Sequence, residues 1–148
     1  MAELAPLNEA EVRQFVGDWY RALDVHVPPE EAFAMTAPEG LMFKIPEGVF
    51  NGREGFSEIY HNWTHTFFDE VHTVKEVTFS PNGQQADLKV VVNWQGRVWN
   101  PPAAKSEKLN FDAYQTWVVE RSTETNKPVI KSYIVDELKP MPGAPNLT

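Results

Sequence analysis

The sequence contains no cysteine among its 148 residues. This absence excludes disulfide bonds, thiolate catalysis and cysteine metal sites, and it leaves the redox compartment open. No stretch approaches the roughly 18 consecutive apolar residues that a membrane-spanning helix needs. The N-terminal stretch is acidic and has no apolar run, so we expect neither a signal peptide nor a membrane anchor and predict a cytoplasmic protein.

Basic residues are also scarce and scattered. The chain has 13 Lys and Arg against 21 Asp and Glu, which gives a formal net charge of −8 at pH 7. Nucleic-acid binding requires clustered Lys and Arg, so this class of partner is excluded. Aromatic residues, in contrast, make up 12% of the chain and include five Trp. Such side chains build cores, subunit interfaces and pockets for planar ligands.

Three segments in the N-terminal half have the pattern of helices. Asn8 is a good N-cap for a first helix that runs to about Asp24. Prolines 28 and 29 end that segment and start a short second helix. The third helix follows an Asn-Gly turn at positions 51 and 52, and its apolar residues recur at the spacing of one helical face. These residues are Phe56, Ile59, Tyr60, Trp63 and Phe67.

Six segments after position 40 predict strands, because they alternate apolar and polar residues between turn signals. They are Leu41 to Ile45, Gly48 to Phe50, about Glu70 to Phe79, Gln85 to Gln95, Leu109 to Arg121 and Pro128 to Leu138. Helices followed by a run of antiparallel strands predict an α+β fold with the helices on one face of the sheet. At this length we expect one domain over residues 1–140 and a flexible tail over 141–148.

Alternation along the strands predicts which side chains face the core. The inner set of the second long strand is Ala86, Leu88, Val90, Val92 and Trp94. The inner set of the third is Phe111, Ala113, Gln115, Trp117 and Val119. In the last strand two inner sets are possible. One is Ile130, Ser132, Ile134 and Asp136, and the other is Val129, Tyr133 and Val135. Polar members of an inner set need a hydrogen-bond partner, so Gln115, Ser132 and Asp136 become candidate site residues.

The order of elements and four motifs resemble the nuclear transport factor 2-like superfamily, also called the cystatin-like cone, and most of all its SnoaL-like and ketosteroid-isomerase-like branches. The motifs are WYRALD (Trp19 to Asp24), GVFNGREGFSEIYHNW (Gly48 to Trp63), FFDEVHTVKEVTF (Phe67 to Phe79) and VNWQGR (Val92 to Arg97). The resemblance extends from about Glu9 to Lys139. It implies three helices on a curved, mainly antiparallel sheet, a cone that holds an apolar ligand, and a homodimer through the outer sheet face. Fold alone does not give function.

The isomerase branch implies a carboxylate base and acidic hydrogen-bond donors. This chain has Ile45 at the position of the base, Trp19 at the position of a tyrosine donor, and Gln115 near the second donor. The supporting tyrosine of the long helix is matched by Tyr60. We therefore do not expect a standard ketosteroid isomerase.

Similarity to SnoaL-like cyclases and scytalone dehydratase-like enzymes implies an acid/base role for His72, which matches their strand histidine. Asp24 ends the first helix where an acidic residue is common. The dehydratase pattern has a second histidine in the next strand, and Gln85 to Gln95 contains none. Asp136 or Asp69 is the partner we expect for His72, and a histidine facing solvent or an interface is the alternative.

The predicted catalytic residues are thus His72, Asp136 and Tyr60. The predicted ligand-binding residues are Trp19, Val90, Val92, Trp99, Gln115, Trp117, Ser132 and Ile134. Trp99 lies in a long loop over residues 97–108, where we predict a lid or an interface anchor. His61 and His65 have the i, i+4 spacing of metal ligands, but their motif has no third ligand, so we predict no metal site and no cofactor.

These observations predict a protein that binds a small apolar or aromatic molecule in the cone, with acid–base chemistry of the lyase, cyclase or isomerase type. The alternative is a non-catalytic ligand-binding or dimeric interaction module. His72 favours the enzyme, whereas Ile45 and Gln115 favour the alternative.

Overall fold

A computed structural model describes residues 6–99 and 107–141. Its elements are α1 (Glu9–Val25), α2 (Pro29–Phe33), β1 (Met42–Ile45), β2 (Gly48–Asn51), α3 (Gly52–Thr66), β3 (Phe67–Asn82), β4 (Gln85–Val98), β5 (Glu107–Arg121) and β6 (Pro128–Pro140). The predicted α+β class and the three helices are confirmed. Residues 1–5, most of the predicted loop and most of the predicted tail lie outside the described residues. No helix in the described part of the chain is long and apolar enough to cross a membrane.

Local sequence signals account for both ends of α1. Asn8 and Glu11 form a reciprocal cap, in which the Glu11 N–H donates to Asn8 Oδ1 at 2.9 Å and the Asn8 N–H donates to Glu11 Oε1 at 3.1 Å. This arrangement satisfies two of the free N–H groups that every helix start exposes. The helix ends at His26, which adopts a left-handed conformation with φ of 53°. The buried face of α1 is Val12, Phe15, Val16, Trp19, Tyr20 and Leu23.

The strands form a single mixed sheet in the order β2-β1-β6-β5-β4-β3. The pairing of β1 with β6 is parallel, and every other neighbouring pair is antiparallel, so the predicted, mainly antiparallel sheet is confirmed. The buried core joins residues of the helices to the inner sheet face. The helices therefore cover one face of the sheet, as α+β packing requires.

Alternation in β4 and β5 places the predicted side chains inside. The buried residues of β4 are Ala86, Leu88, Val90, Val92, Trp94 and Val98. The odd-numbered residues from Leu109 to Val119 are buried along β5. Because these strands pair without a register shift, the period of two holds over their full length.

A bulge at Lys131 overturns the predicted inner set of β6 that contains Asp136. Val119 pairs with Ile130, but Val118 pairs with Ser132, so Lys131 is an extra residue in the strand. A bulge of this kind reverses the faces of the residues that follow. Tyr133 and Val135 consequently share the inner face with Ile130, because they pair with the inner residues Trp117 and Gln115 of β5.

Ser132, Ile134 and Asp136 therefore lie on the outer sheet face, contrary to prediction. Ser132 and Ile134 pair with outer residues of β5. Asp136 is exposed, and its Oδ2 accepts a hydrogen bond from Thr116 Oγ1 at 2.6 Å. None of the three reaches the interior of the cone.

Substitution of Val119 tests this assignment of faces. Val119→Ala removes a fully buried side chain and is expected to lower the free energy of unfolding by about 2 kcal/mol. The matched control is Val49→Ala on β2, where the valine is 56% exposed and the expected change is within about 0.5 kcal/mol. Urea denaturation measures both values. Equal effects at the two positions would contradict the assigned faces.

Candidate functional site

A carboxylate–imidazole pair joins the end of α1 to β3. Asp24 Oδ1 lies 2.5 Å from His72 Nδ1, and Asp24 Oδ2 accepts the backbone N–H of His72 at 3.0 Å. The side chain of His72 is 4% exposed and that of Asp24 is 20% exposed. The partner of His72 is thus Asp24, and neither Asp136 nor Asp69. Since an ionised carboxylate only accepts hydrogen bonds, His72 Nδ1 carries a proton and Nε2 holds the free electron pair.

Aromatic rings surround the His72 imidazole. The Tyr20 ring stacks on it with a centroid distance of 4.7 Å. The rings of Trp63 and Trp94 lie further away, at 6.1 Å and 6.3 Å. These surroundings provide little polar solvation, so the charge of Asp24 acts on the imidazole more strongly than it would in water.

Gln115 lies deeper in the cone, where it organises a set of hydrogen bonds. Its Oε1 accepts from Tyr20 Oη at 2.5 Å and from Trp117 Nε1 at 2.9 Å, and its Nε2 donates to Tyr133 Oη at 2.9 Å. Burial raises the pKa of both tyrosines, so both hydroxyls are neutral. Both ends of the Gln115 amide are occupied by protein groups. Gln115 therefore satisfies buried polar groups in this conformation, because its carbonyl oxygen accepts twice and one of its two N–H groups donates.

A second carboxylate–imidazole pair, which was not predicted from the sequence, joins His26 to Glu70. His26 Nε2 bonds to Glu70 Oε2, and Trp94 Nε1 donates to Glu70 Oε1 at 3.1 Å. The Glu70 side chain is fully buried. Burial raises the pKa of Glu70, and its hydrogen bond to His26 opposes this effect. One signal was available in the sequence, because Glu70 precedes His72 by two residues and the strand period places such residues on one face.

Tyr60 on α3 bonds to the segment that follows α1. Its hydroxyl donates to the backbone oxygen of Val27 at 2.5 Å. Burial, followed by the charges of Glu70 and Glu31, raises the pKa of Tyr60 to about 12. The hydroxyl is therefore protonated at neutral pH. Its predicted catalytic role stays a prediction.

A surface pocket of about 330 Å³ opens between α3 and the segment that joins α1 to α2. It is lined by His26, Val27, Pro28, Pro29, Ser57, Tyr60, His61, Thr64 and His65. His26 belongs both to this pocket and to the pair with Glu70. The pocket therefore meets the second pair at His26, whereas His72 is not among its lining residues.

The predicted ligand-binding residues do not line this pocket. Trp19, Val90, Val92, Gln115 and Trp117 are buried in the core. The Trp19 ring, for example, contacts the rings of Trp117 and Tyr133 with centroid distances of 6.4 Å and 6.0 Å. Trp99 is 54% exposed at the end of β4, and the loop residues that follow it lie outside the described residues.

His61 and His65 lie side by side on α3, with ring centroids 4.1 Å apart. His65 Nδ1 bonds to the backbone oxygen of His61 at 2.7 Å. No group of three or more metal-ligating side chains suited to a metal ion occurs within residues 6–99 and 107–141. The histidine pair instead forms part of the pocket wall.

Solved structures share this architecture over nearly the whole chain. A protein of unknown function with a cystatin-like fold from Nostoc punctiforme has a TM-score of 0.69 and 16% identity, covering 97% of this chain and 98% of that one. A putative dehydratase of the nuclear transport factor 2-like family from Streptomyces avermitilis has a TM-score of 0.71 and 15% identity, covering 94% and 96%. The chain has the nuclear transport factor 2-like fold.

A hexachlorocyclohexane dehydrochlorinase from Novosphingobium barchaimii is also similar to this chain. It has a TM-score of 0.71 and 12% identity, covering 94% of this chain and 93% of that one. No protein-family model matches the sequence, and no curated protein matches it. At these identities the likeness defines the fold and leaves the activity to the arrangement of side chains.

The Asp24–His72 pair predicts a particular tautomer of the imidazole. Nitrogen-15 NMR of the protein at neutral pH is expected to show His72 with its proton on Nδ1. Asp24→Asn is expected to abolish this preference, because an amide can donate to Nδ1 as well as accept from it. Asp18→Asn, on the same helix and bonded to Arg21 and Gln14, is the control and should leave the His72 signals unchanged. A wild-type Nε2–H tautomer would contradict the geometry.

The buried carboxyl of Glu70 predicts a pH-dependent stability. Its raised pKa means that the stability Glu70 contributes is present below its unfolded pKa of about 4.3 and is lost as the pH rises through the folded value. Glu70→Gln is therefore expected to gain stability relative to the wild type between acidic and neutral pH. Urea unfolding over a pH series measures the difference. For Glu58→Gln, at an exposed position, the stability difference from the wild type should not change with pH. A stability of Glu70→Gln that falls relative to the wild type as the pH rises would refute the assignment.

Proposed function

We propose that this protein is a SnoaL-like lyase that removes a proton from carbon in a small apolar or aromatic molecule, with His72 as the base. The observation that carries the proposal is the buried Asp24–His72 pair, whose carboxylate occupies Nδ1 and leaves Nε2 as the basic atom. A base held in one tautomer and orientation by a carboxylate is a recurrent arrangement for proton transfer.

The proposed step is an elimination. His72 Nε2 takes the proton, the electrons of the C–H bond form a carbon–carbon double bond, and the leaving group departs from the neighbouring carbon. The imidazolium that forms keeps its Nδ1–H bond to Asp24, whose negative charge stabilises it. Two of the similar structures support this class of reaction, because one is described as a dehydrochlorinase and another as a putative dehydratase, and both names denote eliminations.

We place the substrate at the end of the cone where the pocket beside His26 opens. The pocket volume of about 330 Å³ is within the range of small-molecule sites. Deeper in the cone, the rings of Trp19, Trp117 and Tyr133 pack on one another. Binding there requires these side chains to move. Binding at the open end leaves them in place, but it requires an opening toward His72, whose side chain is 4% exposed and does not line the pocket.

A homodimer and a cytoplasmic location are further parts of this proposal. Val71 and Tyr114 support the dimer, because they are exposed apolar side chains on the outer sheet face. Sedimentation velocity measures the oligomeric state directly.

A planar probe tests the base. Nitrobenzisoxazole opens by loss of a single carbon-bound proton, and its phenolate product absorbs visible light. We expect the wild type to accelerate this elimination, and we expect His72→Gln to lower kcat/KM by roughly a hundredfold or more, the usual contribution of a general base. Asp24→Asn should also lower the rate, because it loses the fixed tautomer, whereas Asp18→Asn should not.

The alternative function, a non-catalytic ligand-binding module, is favoured by the structural role of the Gln115 amide and by the packed rings of the cone. The same experiment separates the two functions. A wild type without activity, or an activity that survives in His72→Gln, would reject the enzyme. Saturable binding of the probe in that case would support the module.

A further inference from the structure

Asparagine is followed by glycine at two points in this chain, Asn51–Gly52 and Asn82–Gly83, and the proposed function uses neither pair. Asparagine is a thermally labile residue, and a glycine after it has no Cβ to keep its backbone nitrogen away from the asparagine side chain. Both asparagine side chains are exposed, so access to water does not distinguish the two pairs. The hydrogen bonding of the glycine nitrogen does distinguish them.

The nitrogen of Gly52 is held in the sheet. Its N–H donates to the backbone oxygen of Leu41 at 2.8 Å, and Leu41 is itself buried in the core. Asn51 pairs with Met42 at the end of the ladder between β1 and β2, and Gly52 begins α3 directly after it. Attack by this nitrogen therefore requires a backbone hydrogen bond to break and the junction of a strand with a helix to open.

The nitrogen of Gly83 has no such bond. Strands β3 and β4 are joined by a two-residue turn, Gly83 and Gln84, which the pair of Asn82 with Gln85 closes. Gly83 has φ of 64°, and glycine is a preferred first residue of such turns. No backbone oxygen within residues 6–99 and 107–141 accepts the Gly83 N–H, and the whole turn is exposed. Attack by this nitrogen therefore requires no backbone bond to break.

We propose that Asn82 is a site of spontaneous covalent modification, at which the side-chain amide is lost and an isoaspartyl linkage forms, and that Asn51 is spared. The Gly83 nitrogen bonds to Cγ of Asn82. The bond from Cγ to the amide nitrogen breaks, and that nitrogen leaves as ammonia with the proton of the Gly83 N–H. Water then opens the cyclic imide at one of its two carbonyl groups and leaves aspartate or isoaspartate. The net change is one water consumed and one ammonia released.

The turn that is modified also holds the segment before α1. Gly83 O accepts the N–H of Leu7 at 3.2 Å, and Gln84 O accepts the N–H of Arg121 at 2.9 Å. Leu7 belongs to the buried core, so this contact closes one end of the fold. An isoaspartyl linkage adds one carbon atom to the backbone just before Gly83. The oxygen of Gly83 consequently moves away from Leu7, and the attachment of this segment weakens.

A second contact keeps the same segment in place. The guanidinium of Arg121 donates to Pro6 O at 3.0 Å and to Asn126 O at 2.9 Å, and it also bonds to Glu11. These bonds do not involve the turn. We therefore expect the modified chain to stay folded and to lose protection locally, at the amide of Leu7.

The modification is independent of the proposed function. Ten residues of β3 separate Asn82 from His72, which is roughly 30 Å at the usual rise of a strand. A failure of the proposed elimination therefore says nothing about Asn82, and the reverse also holds.

Incubation of the full-length protein at mildly alkaline pH and physiological temperature tests the proposal. Digestion and mass spectrometry follow the exchange of amide for carboxyl at each asparagine, and methylation by protein L-isoaspartate methyltransferase counts the isoaspartyl groups. We expect Asn82 to convert at least roughly tenfold faster than Asn51, because a backbone hydrogen bond must break before Gly52 reacts. In urea-unfolded protein the two rates should be similar. Equal rates in the folded protein, or faster conversion of Asn51, would overturn the proposal.

Two variants and an exchange measurement complete the test. Asn82→Gln should abolish methylation of the folded protein, because the longer side chain does not close the ring readily, whereas the matched control Asn51→Gln should leave methylation unchanged. By NMR, the Leu7 amide should exchange its proton roughly tenfold faster in modified than in fresh wild-type protein. Methylation that persists in Asn82→Gln, or unchanged Leu7 exchange in the modified protein, contradicts the inference. The comparison of the two pairs in the wild type needs no variant.

Discussion

The contact between the end of α1 and strand β3 is the interaction on which the rest of this site depends. One oxygen of the Asp24 carboxylate bonds to the His72 ring, and the other accepts the backbone N–H of His72. Because both oxygens are used on one residue, the position of the helix end and the orientation of the imidazole are set together. His26 and Glu70 form a second bond between the same segments, so the helix end is held at two points.

Register shifts in the edge strand β3 make this contact possible. Strand β3 lies at the edge of the sheet and has register shifts on both sides of His72, one at Asp69 and Glu70 and the other at Lys75. An edge strand has one side free of pairing, so it tolerates bulges better than a central strand does. The bulge before His72 brings Glu70 to the inner face next to it. The fold thus gains two polar side chains at the mouth of the cone without interrupting the central strands.

The deeper part of the cone follows a different physical rule. There the indole of Trp117 and the hydroxyls of Tyr20 and Tyr133 are buried, and buried donors must be satisfied. Gln115 meets this need with one amide, which accepts twice and donates once. The base at the mouth therefore lies above a closed floor of packed aromatic rings. A side chain that looked like a ligand contact in the sequence serves as a structural hydrogen-bond centre.

Periodicity in the sequence by itself determined the three helices, the α+β order and the inner faces of β4 and β5, because those patterns depend only on local geometry. The resemblance to SnoaL-like and dehydratase-like proteins indicated His72 and Asp24 as separate residues of interest. Only the tertiary structure decided that these two pair, since their separation of 48 positions is closed by the packing of α1 on the sheet. The bulge at Lys131 likewise turned Asp136 outward, whereas Glu70 keeps the period-two relation to His72 that the sequence already showed. Such bulges depend on pairing with a neighbouring strand, so no pattern within a single strand could have revealed them.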